Sequence, residues 1–307
     1  MTLQQIHYAL TIAETGSMSK AAEKLFISQP TLTGAIRDLE ADLGITIFLR
    51  SSRGMAVTNE GAEFLSYAAQ MQQISDLIDE KYRGDGGVRY RFHVSAQHYS
   101  FAVKAFVETV RGLDPRGYDL AIRETRTREV IRDVGLLRSE IGVLYLSGFN
   151  RKILEKAFSE QSLVFHHLID CNVYAYLAKT HPCARKAYVS LADLLPYPCL
   201  AFEQGDDSSI YYAEEMFPDY PYPHLIHAND RATMLNLMVG LNGFTLCSGL
   251  ICEELNGGDY VAVPFRDESC TPAPMEIGYL TKRQSRMSGI GQDYIRHLTD
   301  YLHAARP

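Results

Sequence analysis

Apolar residues between Ser28 and Gly44 recur at helical spacing and predict one amphipathic helix. They fall at i, i+4, i+7 and i+11, which places a single apolar stripe on a small core: Leu32, Ile36, Leu39 and Leu43. Ser28 is a good N-cap, Pro30 fits the first turn, and Gly44 suits a left-handed C′ position. Both ends of this helix are therefore marked independently of its apolar stripe.

The opposite face of this helix carries short polar groups and one guanidinium, which are Gln29, Thr31, Thr33, Gly34 and Arg37. From a helix in a major groove, such groups reach base edges and phosphates. An ordinary solvated polar face is the alternative interpretation.

The segments around this helix favour DNA recognition. Residues 17–26 predict a short helix whose Ala21 and Ala22 allow close approach of a neighbour, so only Ile27 and Ser28 separate two helices, as in a helix-turn-helix. A first helix has an apolar face that closes a three-helix core: Leu3, Ile6, Leu10 and Ala13. Residues 45–50 and 55–57 then predict two short strands around residues 51–54, a wing that carries Arg50 and Arg53.

These residues resemble the LysR-type transcriptional regulators of bacteria. The resemblance is specific over roughly the first 65 residues and rests on Gly16-Ser17, Ala21-Ala22 with Leu25, Ser28-Gln29-Pro30-Thr31-Leu32-Thr33, Ile36 with Leu39-Glu40, Gly44, Phe48 with Arg50, and Thr58 with Gly61. Gly34 departs from the family, which often has a larger polar or basic residue there, so one DNA contact is weakened.

The resemblance implies a sequence-specific regulator that binds promoter or operator DNA. The residues assigned to DNA contact are Ser19, Lys20, Gln29, Pro30, Thr31, Thr33, Arg37, Arg50 and Arg53. Residues 1–58 contain five cations and five anions, a weaker basic footprint than DNA-binding modules usually have. We therefore expect modest affinity per monomer and dependence on oligomerisation.

Residues 58–83 predict a long helix with Thr58 as its N-cap. Its apolar residues alternate four-and-three spacings and form a heptad seam: Phe64, Tyr67, Met71, Ile74 and Ile78. The seam predicts dimerisation, although a helix packed on its own domain is the alternative. The resemblance implies pairing through this helix into a homodimer or homotetramer.

Residues 84–87, Gly-Asp-Gly-Gly, predict a hinge, after which strands and helices alternate, with one strand predicted over 163–178 and a helix over 208–216. The fold class is thus α/β multidomain: a winged helix-turn-helix (1–58), a linker and dimerisation helix with a hinge (59–87), and an effector-binding domain (88–303). The resemblance implies a two-lobed domain similar to type 2 periplasmic binding proteins. Lobe I would comprise 88–162 and 271–303, and lobe II 163–270, with crossings near 161–163 and 267–273.

In this family the cleft between the lobes holds a small inducer. The matching positions are Ser95, Gln97, Ser100, Thr127, Tyr145, Ser147, Phe202, Gln204 and Thr245. Hydroxyls and backbone donors at helix N-termini favour a carboxylate or another anion. An anionic effector is therefore expected, and ligand-driven lobe closure would change how paired DNA modules are spaced and how they contact RNA polymerase.

Composition limits the remaining classes. The 307 residues are 46% hydrophobic and carry a net charge of −7, with no apolar run that approaches the ~20 residues of a membrane span, so a folded cytoplasmic protein is expected. The chain lacks the G-x-S-x-G, H-E-x-x-H, P-loop and dinucleotide motifs, so neither an enzyme nor a cofactor is predicted.

Six cysteines are interpreted as free thiols in a reducing compartment: Cys171, Cys183, Cys199, Cys247, Cys252 and Cys270. His166, His167, Cys171, His181 and Cys183 lie close in sequence but without convincing ligand spacing, so no metal site is assigned. Two alternatives stay open: a regulator that acts by protein contacts alone, and a cytoplasmic solute-binding protein.

Overall fold

A computed structural model describes residues 1–51, 54–82, 90–114, 117–205, 209–267 and 274–305. The chain divides into two compact units, Met1–Arg89 and Tyr90–Pro307. The predicted hinge at 84–87 and Cys270 lie outside the described residues.

The first unit is a helical core with a two-stranded wing. Its elements are α1 (Leu3–Thr15), α2 (Met18–Lys24), α3 (Gln29–Leu43), β1 (Phe48–Ser51), β2 (Gly54–Val57) and α4 (Asn59–Tyr82). Strands β1 and β2 pair antiparallel. Ile12, Leu32 and Leu39 are completely buried in one core that also receives Leu65 of α4. The predicted winged helix-turn-helix is therefore present.

The signals at the ends of α3 are confirmed. The Ser28 hydroxyl accepts from the backbone N–H of Thr31, Pro30 lies in the first turn, and Gly44 is left-handed with φ of 70°. Thr58 caps α4 in the same way, accepting from the backbone N–H of Gly61 at 2.8 Å.

Two local predictions for the first unit are wrong. The second helix ends at Lys24 rather than Phe26, because the chain turns sharply at Phe26, whose φ is 55° and whose side chain is 97% exposed. Residues 45–47 do not extend β1, because the backbone N–H groups of Ile47 and Phe48 donate to Glu40 Oε1 at 2.7 and 3.0 Å. Glu40 thus ties the end of α3 to the start of the wing.

Replacing Glu40 by alanine should lower the free energy of unfolding of the first unit by about 1–3 kcal/mol, because two backbone donors lose their acceptor. Thermal and denaturant unfolding of the full chain measure this loss. Glu23→Ala, at an exposed acid of α2, is the matched control and should change little. Equal destabilisation by the two variants would contradict the role of Glu40.

The second unit contains a five-stranded sheet in the order β4-β3-β5-β12-β6, called here sheet I. Its strands are β3 (Tyr90–Ala96), β4 (Tyr118–Glu124), β5 (Ile141–Leu146), β6 (Leu163–Cys171) and β12 (Met275–Lys282). Strand β3 pairs parallel with β4 and β5, whereas β12 runs antiparallel to β5 and β6. The associated helices are α5 (Ser100–Arg111), α6 (Thr127–Gly135), α7 (Arg151–Glu160) and α11 (Gly289–Ala304).

A second sheet, sheet II, has the order β10-β7-β11, and a parallel pair β8-β9 accompanies it. The elements are β7 (Tyr174–Ala178), α8 (Leu191–Leu194), β8 (Cys199–Phe202), β9 (Leu225–Ala228), α9 (Arg231–Leu241), β10 (Thr245–Cys247), α10 (Glu253–Asn256) and β11 (Tyr260–Pro264). One continuous buried cluster joins both sheets, with Val94 and Ile277 on one side and Leu177 and Phe244 on the other.

The predicted first crossing between lobes is wrong. Residues 163–178 form two strands instead of one, and β6 pairs with β12 along its whole length, so it belongs to sheet I. The chain enters sheet II only at residues 172–173, between β6 and β7. Most of the second predicted crossing, residues 268–273, lies outside the described residues.

The helix predicted at 208–216 is a single 3-10 turn, Ile210–Tyr212, in the described residues. The backbone carbonyls that would accept the next helical hydrogen bonds accept from side chains instead. The Thr127 hydroxyl donates to Tyr212 O at 2.7 Å, and the Tyr145 hydroxyl donates to the carbonyls of Ala213 and Glu215 at 3.2 Å. Helix α7 was not predicted. No helix in the described part of the chain is long and apolar enough to cross a membrane.

Candidate functional site

The N-terminal half of α3 presents a shallow concave surface lined by Gln29, Pro30, Thr33, Gly34 and Arg37. The Ser19 hydroxyl of α2 donates to Gln29 Oε1 at 3.0 Å, which holds the amide at the edge of this surface. Amide and guanidinium groups form bidentate pairs with adenine and guanine edges, so this surface has the chemistry of a base-reading face.

The other residues assigned to DNA contact lie around this surface or have local roles. Ser19 and Lys20 are exposed near the start of α2. Thr31 is exposed, but its hydroxyl hydrogen-bonds the N-cap hydroxyl of Ser28 at 2.7 Å. Arg50 lies in β1 opposite Met55, and Arg53 lies outside the described residues.

Several acidic groups of the first unit are already engaged in ion pairs or hydrogen bonds. Glu14 pairs with Lys24 at 2.8 Å, the amino terminus pairs with Asp42 at 3.0 Å, and Glu40 accepts from backbone at the wing. The Arg37 side chain on α3 is 81% exposed and lies 3.8 Å from that of Asp38, which is 68% exposed. An exposed pair of this kind holds a guanidinium weakly, so Arg37 is available to a phosphate or base.

The second unit has a cavity of about 80 Å³ beside sheet II. His98, Tyr99 and Ser100 line it from the loop after β3 and the start of α5. The opposite walls are largely apolar and include Tyr176, Phe202, Met234, Met238, Leu246 and Ile251. A mostly apolar cavity with a few polar groups is typical of small-molecule sites.

Three of the nine predicted effector residues line this cavity: Ser100, Phe202 and Thr245. The other six do not, because internal hydrogen bonds or burial in the fold hold them elsewhere: Ser95, Gln97, Thr127, Tyr145, Ser147 and Gln204. Ser95, for example, is fully buried and donates to Asp133 at 2.7 Å.

Four of these six residues form a hydrogen-bond network: Gln97, Thr127, Tyr145 and Gln204. The network joins sheet I to the residues on both sides of the 3-10 turn. Gln97 Nε2 donates to the Thr127 hydroxyl at 2.6 Å, and Gln97 Oε1 accepts from the backbone N–H of Tyr145 at 3.0 Å. The backbone N–H of Thr127 donates to Gln204 Oε1 at 3.2 Å. The donors that predicted an anion site are therefore used within the fold.

The principal polar residues of the cavity were missed by sequence reasoning. His98 Nδ1 and the His98 backbone N–H both contact the carboxylate of Glu214, at 3.0 and 2.9 Å, and the imidazole stacks on Phe202 with ring centroids 4.0 Å apart. Arg231 contacts Glu124 at 2.8 Å and donates to Asn256 at 3.0 Å. The adjacent acids Glu214 and Glu215 were the available signal in the sequence.

Glu215 is 6% exposed and accepts from the backbone N–H of Phe202 at 2.7 Å. Burial, together with the negative charge of Glu214, raises the pKa of Glu215 to about 8. Burial disfavours the charged form of His98, but the hydrogen bond and charge of Glu214 outweigh it and raise the pKa of His98 above 6.5. Glu215 is therefore protonated at neutral pH.

The raised pKa values of Glu215 and His98 predict that the second unit loses stability as the pH rises from about 5 to about 8. In the unfolded chain Glu215 ionises above 4.5, whereas the folded protein holds its proton to about 8. The contribution of His98 is complete below 6.5 and is lost as the pH rises through its folded-state pKa. Other titratable groups that face Glu215 stay neutral because burial raises their pKa values: Tyr99, Tyr145, Cys199, Tyr222 and Cys247.

Thermal unfolding across this pH range tests the shift. Glu215→Gln should flatten the decline and unfold at a higher temperature than the unsubstituted chain near pH 8, because glutamine resembles the protonated acid. Glu160→Gln, at an exposed acid of α7, should keep the original slope. A decline of unchanged steepness in Glu215→Gln would contradict the raised pKa.

The cysteine and histidine cluster considered as a metal sensor does not assemble. Within the described ranges, the acid, His and Cys side chains close enough to share an ion are His167, Asp170 and Glu276, and Arg151 already pairs with Glu276. Cys171 and Cys183 are both buried. Burial raises the pKa of the cavity thiol, Cys247, to about 11, so it is neutral and weakly nucleophilic.

Comparison with known proteins identifies both units. Residues 3–62 match the model of the bacterial regulatory helix-turn-helix proteins of the lysR family, and residues 117–303 match the LysR substrate binding domain. The regulator ClcR of Pseudomonas putida is 38% identical over 77 residues, which are 25% of this chain and 26% of ClcR. The chain spans 26–29% of the length of the first relatives that it matches in this way.

Other similarities extend over nearly the whole chain. YvbU of Bacillus subtilis, an uncharacterised helix-turn-helix regulator, is 23% identical over 299 residues, or 90% of this chain and 97% of YvbU. Full-length OxyR of Pseudomonas aeruginosa superposes with a TM-score of 0.65 at 19% identity, covering 99% of this chain and 95% of OxyR. At this identity the likeness to OxyR shows the fold. With a helix-turn-helix and a LysR substrate domain that together account for most of its length, the chain belongs to the LysR family of bacterial regulators.

Proposed function

We propose that this protein is a transcriptional regulator that binds operator DNA through α3 and responds to a small molecule in the cavity of its second unit. The observation that carries the proposal is the presence, in one chain, of a surface lined by Gln29, Thr33 and Arg37 and of a largely apolar cavity beside sheet II. The first feature reads base edges, and the second binds a compact ligand. Such a protein acts at the bacterial chromosome in the cytoplasm.

The coupling of ligand binding to DNA binding follows from the contacts that surround the cavity. Residues on both sides of it are joined by the contact of His98 with Glu214 and that of Arg231 with Glu124. A ligand that binds one arrangement of the two sheets more tightly shifts the population toward it. In an oligomer this shift changes the spacing of the paired DNA-binding units, and thereby DNA bending and contact with RNA polymerase.

The experiment is DNA binding by the purified full chain to the intergenic region upstream of its own gene, measured by footprinting over a salt series. Specific protection that weakens with salt supports the proposal, with a slope of roughly −0.9 for each phosphate neutralised. Absence of specific binding at low salt would contradict autoregulation through this site and favour solute binding or protein contacts alone.

We also propose that α4 forms the dimer interface. Its Leu65, Ala68 and Ala69 pack inward, whereas the predicted heptad seam leaves four large apolar side chains exposed in the single chain: Tyr67 (58%), Met71 (41%), Ile74 (57%) and Ile78 (52%). Phe64 is the exception, because it packs against the core of the first unit. An exposed apolar stripe of this length favours a second copy of the same helix.

Substituting Ile74 by aspartate should convert the oligomer to smaller species by placing a charge in the seam. Sedimentation velocity or light scattering measures the mass. Ala62→Asp places the same charge at an exposed position on another side of α4 and should leave the mass unchanged. Retention of the full oligomer by Ile74→Asp would place the interface elsewhere.

A further inference from the structure

The cavity of the second unit places buried carboxyl groups beside apolar and aromatic walls. From this arrangement we propose that the effector is a small apolar compound bearing a positively charged amino group, which pairs with Glu215. The inference rests on the proposed function of the cavity as the effector site, and it replaces the anionic effector that the sequence predicts.

Glu214 and Glu215 both line the cavity, and both residues are at least 94% buried. Glu214 is held in place by three donors, the backbone and ring nitrogens of His98 and Nε2 of Gln204 at 3.0 Å. The negative charge of Glu214 is thus largely compensated by these three donors. Glu215 has backbone donors, among them the N–H of Phe202 at 2.7 Å, and in the described residues no cationic side chain lies beside it.

A buried carboxyl group of this kind is neutral until a cation arrives. Because burial and Glu214 raise the pKa of Glu215 to about 8, the group holds its proton in the free protein. An ammonium group next to it favours the carboxylate, so the proton leaves to solvent as the ion pair forms. The net charge of the cavity is the same before and after binding, because the cation of the ligand replaces the proton.

The charged groups of the cavity disfavour an anionic ligand. Among the described residues that line the cavity, Arg231 is the side chain with a permanent positive charge, and it is already paired with Glu124 and bonded to Asn256. His98 is committed to Glu214 at 3.0 Å. A carboxylate would therefore lie beside two carboxyl groups with no available cation, an arrangement that costs free energy in a buried site.

The remaining walls suit a compact apolar body. Aromatic rings of Tyr176 and Phe202 contribute to the lining, and the negative faces of such rings attract ammonium groups. Met234 and Met238 add flexible thioether side chains that adapt to irregular shapes. The free space of about 80 Å³ limits the ligand to a small body unless the walls move.

The test uses compounds that share a body and differ in the charged group: benzylamine, benzyl alcohol and benzoate, with butylamine, butanol and butyrate as a second series. Each is added at about 10 mM to the full-length protein near pH 8, and thermal unfolding is followed, because a ligand that binds the native state raises its stability. We expect the amines to raise the unfolding temperature more than the alcohols, and the carboxylates to have no effect.

Glu215→Gln should weaken the apparent affinity for the amines by about tenfold or more, because the ion pair is lost while the neutral shape is kept. The matched control Glu160→Gln should bind amines as the unsubstituted chain does. The proposal is overturned if no amine stabilises the unsubstituted chain, if carboxylates stabilise it more than amines, or if Glu215→Gln binds amines unchanged.

Operator binding is measured on the same preparations. Specific DNA binding with no stabilisation by amines would overturn the ligand class and leave the regulator intact. Stabilisation by amines without specific DNA binding would overturn the proposed function and leave the ligand class standing.

Discussion

Gln29→Ala combined with Arg37→Ala is expected to weaken specific operator binding by roughly 100-fold or more, because each well-formed base contact contributes about 1–3 kcal/mol. Both side chains line the concave surface of α3, and Ser19 orients the Gln29 amide. Neither side chain belongs to the core of the first unit, so the fold should be retained. Quantitative footprinting on specific and random DNA measures the change, and thermal unfolding checks the fold.

The single variants separate the two roles. If its guanidinium contacts the DNA backbone, Arg37→Ala should make the slope of log K against log salt less steep by about the contribution of one phosphate. Gln29→Ala should leave that slope unchanged. Gln4→Ala removes the same amide from an exposed position of α1 and should bind like the unsubstituted chain. Full operator affinity in the double variant would show that α3 does not read the DNA.

Gly61→Ala is expected to disrupt the first unit, with a loss of several kcal/mol in the free energy of unfolding and loss of DNA binding. A Cβ atom at Gly61 would lie 2.3 Å from the carbonyl oxygen of Ile47 and 2.9 Å from its Cα. These are backbone atoms of the segment that leads into the wing, and Thr58 bonds to the same segment through Ile47 O at 3.1 Å. Because backbone cannot yield as a side-chain tip does, α4 must separate from the wing.

Gly34→Ala is the matched control, since it adds the same methyl group to another helical glycine. No atom lies within 4 Å of a Cβ at Gly34, and alanine favours a helix by about 1 kcal/mol relative to glycine. This variant should therefore be slightly more stable than the unsubstituted chain. If Gly61→Ala unfolded at the same temperature as Gly34→Ala, the close packing of α4 on the wing would be disproved.

The pH dependence and the ligand class share one physical origin in Glu215. A carboxyl group held neutral by burial makes the second unit less stable as the pH rises, and it is also the group that a cationic ligand ionises. The two effects therefore move together in Glu215→Gln. Because the hydroxyl of Tyr145, in β5, donates to the carbonyls of Ala213 and Glu215, the segment that carries Glu215 is joined directly to sheet I. Occupancy of the cavity is thus positioned to alter how the two sheets approach each other.

The sequence by itself determined the elements whose signals are local. The N-cap Ser28, Pro30 and the left-handed Gly44 define α3 from neighbouring residues alone, and the apolar period of three and four residues defines its buried face. The same holds for α4, whose cap at Thr58 and exposed heptad seam follow from residues within the helix. Such features depend on contacts between residues a few positions apart, so they are present in the order of the residues.

Only the tertiary structure decided which polar groups face the cavity. Ser95 and Gln97 have the chemistry of ligand contacts, but residues 30 to 48 positions away accept or donate their hydrogen bonds. Glu214 acquires its role from His98, which is 116 positions earlier. The pairing of β6 with β12 similarly depends on strands that lie far apart in the chain. Burial and hydrogen-bond partners of this kind arise from distant segments, so they exist only once the chain has folded.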